Sequence, residues 1–149
     1  MCCEAVLGLP VPPLTPGPDA VRRHLSLDPV PPSVGVARRF VREVLADVPR
    51  DELDAALLMA SELVTNAILH ARTPVELGVV VADNRLLLCV GDRLPGGPLT
   101  PRSHSRDRPG GRGLALVADL SEHWGTASTS AGKTVWFTLP VSVRAVSVR

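Results

Sequence analysis

Lysine is almost missing from this chain. Of 16 basic residues, 15 are arginine and only Lys133 is lysine, which reads as coding bias and not as a chemistry. Neither sign of charge is in excess, since 15 acidic residues leave a formal net charge of +1. That excludes the basic footprint of a general nucleic-acid binder, so no direct nucleic-acid contact is expected. Cysteine is scarce as well. Cys2, Cys3 and Cys89 form an odd, unspaced set, which is neither a disulfide framework nor a zinc site. Cys2 and Cys3 are expected on a mobile tail, and Cys89 in an apolar strand as a small buried hydrophobe. His24, His70, His104 and His123 lack ligand spacing, which argues against a transition-metal site. No apolar run reads as long enough to cross a bilayer. Met1-Cys2-Cys3-Glu4 lacks the basic region of a secretory signal. These absences lead to an expectation of a cytoplasmic protein without membrane association.

What is present fits one domain of 149 residues with a core of useful size. Residues 1–18 hold five of the 15 prolines without periodicity and read as a disordered leader. The domain proper is expected over 19–142, with a frayed tail at 143–149. An edge strand over 20–28 is followed by Pro29, Pro31 and Pro32. Ser33 then caps a helix over about 33–47 that turns Ala37, Phe40, Val41, Val44 and Leu45 inward. Arg38, Arg39 and Arg42 are expected outward, as a solvated face or as the rim of a partner-docking surface. After Pro49, Asp51 is the candidate N-cap of a long helix ended by Thr73-Pro74. Val75–Ala82 and Arg85–Val90, joined by Asp83-Asn84, read as a hairpin. Residues 93–111 form a long loop, Leu114–Leu120 a short helix, and Glu122–Ser128 with Lys133–Pro140 a last pair of strands. This order predicts a two-layer α/β sandwich: a mixed, mostly antiparallel sheet of four or five strands with helices on one face.

The stretch that carries chemistry is Ser61-Glu62-Leu63-Val64-Thr65-Asn66-Ala67-Ile68-Leu69-His70-Ala71-Arg72. Glu62 and Asn66 are four residues apart and so share one helix face, away from the apolar stripe. A carboxamide oxygen there can ligate Mg²⁺, and a carboxylate can take a proton from a nucleophile. The same pair also fits a plain solvated face. Leu58 and Leu69 flank it, which favours a semi-enclosed surface. Gly132-Lys133-Thr134 looks like the end of a Walker A loop, but Ala127 stands where the first glycine belongs and a strand follows. Gly111-Arg112-Gly113 fails as a dinucleotide fingerprint, since Leu116 holds its third small position. Gly110-Gly111-Arg112-Gly113 does open a helix, where bare backbone amides can meet phosphate oxygens. Asp92, at the end of a strand, can accept from the exocyclic amine of adenine.

The order of these signals is more specific than any one of them. Glu62-Leu63-Val64-Thr65-Asn66-Ala67 comes first, then Asp92 at a strand end with Gly96 four residues on. Gly111-Arg112-Gly113-Leu114-Ala115-Leu116-Val117 and the Gly132-Lys133-Thr134-Val135 strand follow. From about Ala20 to Pro140 the chain resembles the ATPase superfamily of gyrase B, the heat-shock chaperones and the sensor histidine kinases (the Bergerat fold). Within it the chain is most similar to bacterial anti-sigma-factor serine kinases and their stand-alone relatives. The resemblance implies ATP and Mg²⁺ as cofactors, with Asn66 on the metal and Glu62 as general base. It also implies Asp92 on the adenine amine, Thr134 near the adenine end, and Gly111 and Gly113 around the phosphates. Gly96, Arg112 and Leu114 complete the implied nucleotide contacts, and residues 93–111 are the implied lid. The implied partners are a sigma factor and an antagonist protein phosphorylated on serine, and a homodimer is allowed. One departure stands out: Leu94 replaces the first glycine of the usual Asp-x-Gly-x-Gly turn. The chain is therefore expected to be a serine/threonine protein kinase. The alternative is a nucleotide-gated or non-catalytic partner-binding module with a degenerate ATP site. A histidine-kinase output is not expected, for want of a phospho-acceptor helix pair.

Overall fold

The computed structural model describes residues 2–7, 14, 16–94, 111–129 and 132–143. Its elements are α1 (Cys2–Leu7), β1 (Val21–Leu27), α2 (Ser33–Val44), α3 (Arg50–Ala71), β2 (Val75–Ala82), β3 (Arg85–Gly91), α4 (Gly111–Leu120), β4 (His123–Thr129) and β5 (Gly132–Pro140). The five strands form one sheet in the order β1-β2-β3-β5-β4. Every pairing among the described strands is antiparallel, so the mostly antiparallel sheet of the sequence reading has no parallel pair here. β1 lies at an edge, as expected for residues 20–28. Asp83 and Asn84 both have positive φ, 52° and 56°, which is the backbone of a two-residue type I′ turn between β2 and β3.

The main core lies between the sheet and the helices α2, α3 and α4. Leu77 and Val79 of β2, Leu86, Leu88 and Val90 of β3, and Phe137 and Leu139 of β5 face Val41, Ala60, Leu63, Val64 and Val117. α3 is long and apolar enough, by length and composition, to cross a membrane. In this fold its apolar stripe, from Leu57 to Ile68, is instead buried in the core. The helix starts differ from the sequence reading. α3 begins at Arg50 behind Pro49 and α2 at Ser33 behind Pro32, and neither N-cap makes a side-chain hydrogen bond. Proline supplies the starting backbone at both, so Asp51 and Ser33 act as ordinary first-turn residues. α3 stops at Ala71 because Arg72 turns left-handed at φ 54°.

Within the segment expected as a disordered leader, residues 2–7 form α1. α1 lies across the other face of the sheet, against β2, β3 and β5. Cys3, Val6 and Leu14 bury themselves there with Val80, Leu87, Cys89 and Trp136. Cys3 and Val6 are three residues apart and so share a helix face. The central strands are apolar on both sides, so an uncovered outer face would leave Val80, Leu87 and Trp136 in water. Covering that face is what orders the helix. Cys89 is buried as expected, and Cys3, expected on a tail, is 1% exposed.

Near the sheet edge the outer face carries a polar cluster. Ser26 Oγ donates to Glu76 at 2.8 Å, His24 contacts the same carboxylate, and Arg93 Nη2 lies 3.4 Å from it. Burial alone pushes the Glu76 carboxyl up, but the Ser26 hydroxyl, the His24 charge and Arg93 outweigh it and hold its pKa below the ordinary 4.5. A depressed carboxylate stabilises the fold above its unfolded pKa, and that share is lost as pH falls through the folded value.

Two outcomes follow from this packing. Phe137 is fully buried, so Phe137→Ala should lower stability by about 3–5 kcal/mol in urea unfolding, and a loss under about 1 kcal/mol would mean a misplaced core. The stability advantage of wild type over Glu76→Gln should be present at neutral pH and shrink as pH drops below 4.5. An advantage that grows in acid would contradict the depressed pKa.

Candidate nucleotide site

The end of β3 sets the geometry. Asp92 follows Gly91, and its backbone N–H donates to the Lys133 carbonyl at 2.9 Å, extending the β3–β5 ladder by one residue. Its side chain is 2% exposed. Asp92 Oδ1 accepts from the Leu94 N–H at 2.9 Å and from the Lys133 N–H at 3.5 Å. Asp92 Oδ2 lies 3.9 Å from Lys133 Nζ. An ionised carboxylate has about four acceptor positions, so Oδ2 keeps capacity for a further donor such as an exocyclic amine. Thr134 is buried and pairs directly across from Gly91, next to Asp92. The two residues assigned to adenine are thus neighbours on adjacent strands.

Gly132 is what permits this approach. Its φ is 153°, and a Cβ there would fall 1.9 Å from the Asp92 carbonyl oxygen. The glycine of the Walker-like triplet is therefore required by β-strand contact with Asp92.

On α3, Glu62 and Asn66 are both half-buried, on the face that leaves the core. Among the described residues Glu62 makes no hydrogen bond or ion pair, so its carboxylate is open to a proton donor. Leu58 and Leu69, expected to flank a semi-enclosed surface, are 42% and 63% exposed. Thr73, just past the end of α3, accepts from the Arg93 N–H at 3.0 Å and so ties the helix end to the residue after Asp92. Asp92 and the C-terminal end of α3 are therefore at the same end of the domain.

α4 starts at Gly111 and packs on α3, with Leu114 against the core. At its other end Arg85 Nε holds Glu122 at 2.9 Å, which fixes the helix C-terminus beside the start of β3. β3 runs roughly 20 Å from that point to Asp92. The glycine-rich start of α4 is thus the end further from Arg85. Gly96 and most of the expected lid, including Arg102, Arg106 and Arg108, lie outside the described residues, as do the surroundings of Gly111 and Gly113 and the side chain of Arg112. Leu94 is 43% exposed and its N–H closes the turn onto Asp92. A hollow lined by Glu52, Asn84 and Ser142 lies at the opposite end of β3 and takes no part in this site.

Sequence reading missed contacts at three places. Lys133 faces Asp92, a placement visible only once β5 is paired with β3. Thr73 and Glu76 both hold Arg93 at the root of the lid. Arg38, expected outward, donates to Ser61 Oγ at 2.6 Å and to the Leu57 carbonyl at 3.4 Å. It belongs to the α2–α3 contact, one residue before Glu62, while Arg39 and Arg42 are exposed.

The metal and the nucleotide implied by the resemblance fit the residues present in chemistry. A carboxamide and a carboxylate one turn apart suit Mg²⁺ and proton transfer, and a buried carboxylate with spare acceptor capacity suits an amine. Among the described residues no group of three or more His, Cys, Asp or Glu could hold a metal by itself.

Comparison with known proteins bears on the same features. No curated protein sequence matches the chain. Among solved structures it is similar to the RsbU and RsbW domains of Rv1364c from Mycobacterium tuberculosis, with a TM-score of 0.64 and 22% identity over 87% of this chain and 35% of that one. It is also similar to the histidine kinase domain of the EL346 blue-light activated histidine kinase from Erythrobacter litoralis, with a TM-score of 0.53 and 23% identity over 72% of this chain and 59% of that one. The chain thus spans about a third of the first structure's length and three fifths of the second's, and at these identities the likeness is one of fold. The profile of the histidine kinase-like ATPase domain matches residues 27–139, from the end of β1 to the last residues of β5, and the chain belongs to that family.

Proposed function

We propose that this domain is a Mg-ATP-dependent serine/threonine protein kinase of the anti-sigma-factor type, which phosphorylates an antagonist protein and sequesters a sigma factor. The observation that carries the reading is Glu62. It is a half-buried carboxylate without a partner among the described residues, one turn from Asn66 on the face of α3 that leaves the core. A carboxylate open to a proton donor beside a carboxamide on one helix face is the arrangement that a general base and a metal ligand require. Membership of an ATPase-domain family and a fold shared with a chain that carries an RsbW domain support it.

In this reading Asp92 accepts from the adenine amine and Thr134 lines that end, while the backbone amides of Gly111 and Gly113 take phosphate oxygens. Gly96, Arg112 and Leu114 add contacts from the lid and from the start of α4. Asn66 would hold Mg²⁺, which when bound would offset negative charge on the phosphoryl group. Glu62 takes the proton of the attacking serine hydroxyl as its oxygen bonds to the γ-phosphorus and the bond to the β-phosphate oxygen breaks. Positioning and electrostatics supply most of the rate.

One observation favours a second reading, a partner-binding module that transfers no phosphate. Oδ1 of Asp92 is already engaged by Leu94 and Lys133, and the lid lacks its first glycine. The two readings separate on α3. Glu62→Gln keeps size and hydrogen bonding, so it should retain ATP binding and lose on the order of 10²–10⁴-fold in phosphoryl transfer. Asn66→Ala should instead weaken Mg-dependent nucleotide binding. Radiolabel transfer to the antagonist protein reads the first effect and equilibrium binding the second. Wild-type transfer rates in Glu62→Gln would remove Glu62 as base. Sigma-factor capture by a wild type that transfers nothing would establish the binding module.

A further inference from the structure

Two thiols meet under α1. Cys3 Sγ and Cys89 Sγ are 2.7 Å apart although their residues are 86 positions apart in the chain. They are 1% and 0% exposed, among Val6, Leu14, Val80, Leu87 and Trp136. A disulfide bond is about 2.05 Å long, so the sulfurs need to close by only about 0.7 Å. We propose that Cys3 and Cys89 form a reversible thiol–disulfide pair that fastens the N-terminal helix to the outer face of the sheet. This inference stands apart from the nucleotide reading.

The setting makes the pair both selective and gated. Both sulfurs are buried, so neither meets an oxidant from solution while α1 is seated. α1 is a helix of only six residues, and so short an element opens locally at less cost than the central sheet. When it lifts, the Cys3 thiolate can attack a small-molecule disulfide such as oxidised glutathione. One small thiol leaves, and Cys3 carries a mixed disulfide. As α1 reseats, the Cys89 sulfur attacks Cys3 Sγ and expels the second small thiol. Two protein thiols are oxidised, one small disulfide is reduced to two thiols, and the protons leave with them. The product ties residue 3 to residue 89 and closes a long loop in the unfolded chain.

The test uses the full chain. Reduced protein is incubated with oxidised glutathione, alkylated under denaturing conditions and mapped by peptide mass. The expected result is a Cys3–Cys89 cross-linked peptide within one chain, with a Tm higher by on the order of 5–15 °C that dithiothreitol reverses. Cys2→Ala should keep the cross-link, and Cys3→Ala or Cys89→Ala should each abolish it. The mapping on wild type does not depend on the folding of any variant. Alkylation of both thiols after oxidation would overturn the proposal. So would a Cys2–Cys89 link, a bond between chains, or a persistent glutathione adduct on Cys3 or Cys89.

Discussion

At the junction of β3 and β5 the backbone of Gly132 lies so close to the Asp92 carbonyl that no side chain fits between them. That approach lets β5 continue its pairing past the end of β3, so that Asp92 is held by Lys133 on both its backbone and its carboxylate. It also places Thr134 across from Gly91. The adenine end of the proposed site is therefore a by-product of strand register, and register here is set by a glycine. Any side chain at position 132 would push β5 away and shift Asp92 and Thr134 together.

The rest of the domain keeps that junction rigid while leaving one helix face available. α3 serves both purposes. Leu63, Val64 and Ile68 anchor it in the core, and Glu62 and Asn66 emerge on the side that the sheet does not cover. Ser61 accepts from Arg38 of α2, and Thr73 accepts from the backbone of Arg93, so both flanks of the Glu62–Asn66 segment are tied to other elements. On the far side of the sheet α1 closes a second apolar layer beneath the same strands.

The periodicity of α3, the hairpin at Asp83-Asn84 and the break after β1 were all legible because each rests on local rules: side-chain spacing, turn backbone and proline placement. Pairing Asp92 with Thr134 needed the β3–β5 register, which local rules do not supply, and was reached only through the family resemblance. The helix α1 was missed although a signal existed. Val79-Val80-Val81 and Leu86-Leu87-Leu88-Cys89-Val90 are unbroken apolar runs, which imply strands covered on both faces. The reading of residues 1–18 rested on their five prolines, yet all of them lie beyond the six-residue helix. Arg38 was misplaced because helical spacing gives the side of a helix but not which neighbouring helix lies there.

The central claim is that Asp92 reads adenine from the floor set by Gly132. Its most direct measurement is calorimetric titration of wild type and Asp92→Asn with Mg-ATP and with Mg-triphosphate. Wild type should bind Mg-ATP saturably. Asp92→Asn should weaken Mg-ATP by roughly tenfold or more, as expected for loss of a hydrogen bond to a charged acceptor, and leave triphosphate unchanged. Absence of Mg-ATP binding by wild type, or equal losses for both ligands, would contradict the account.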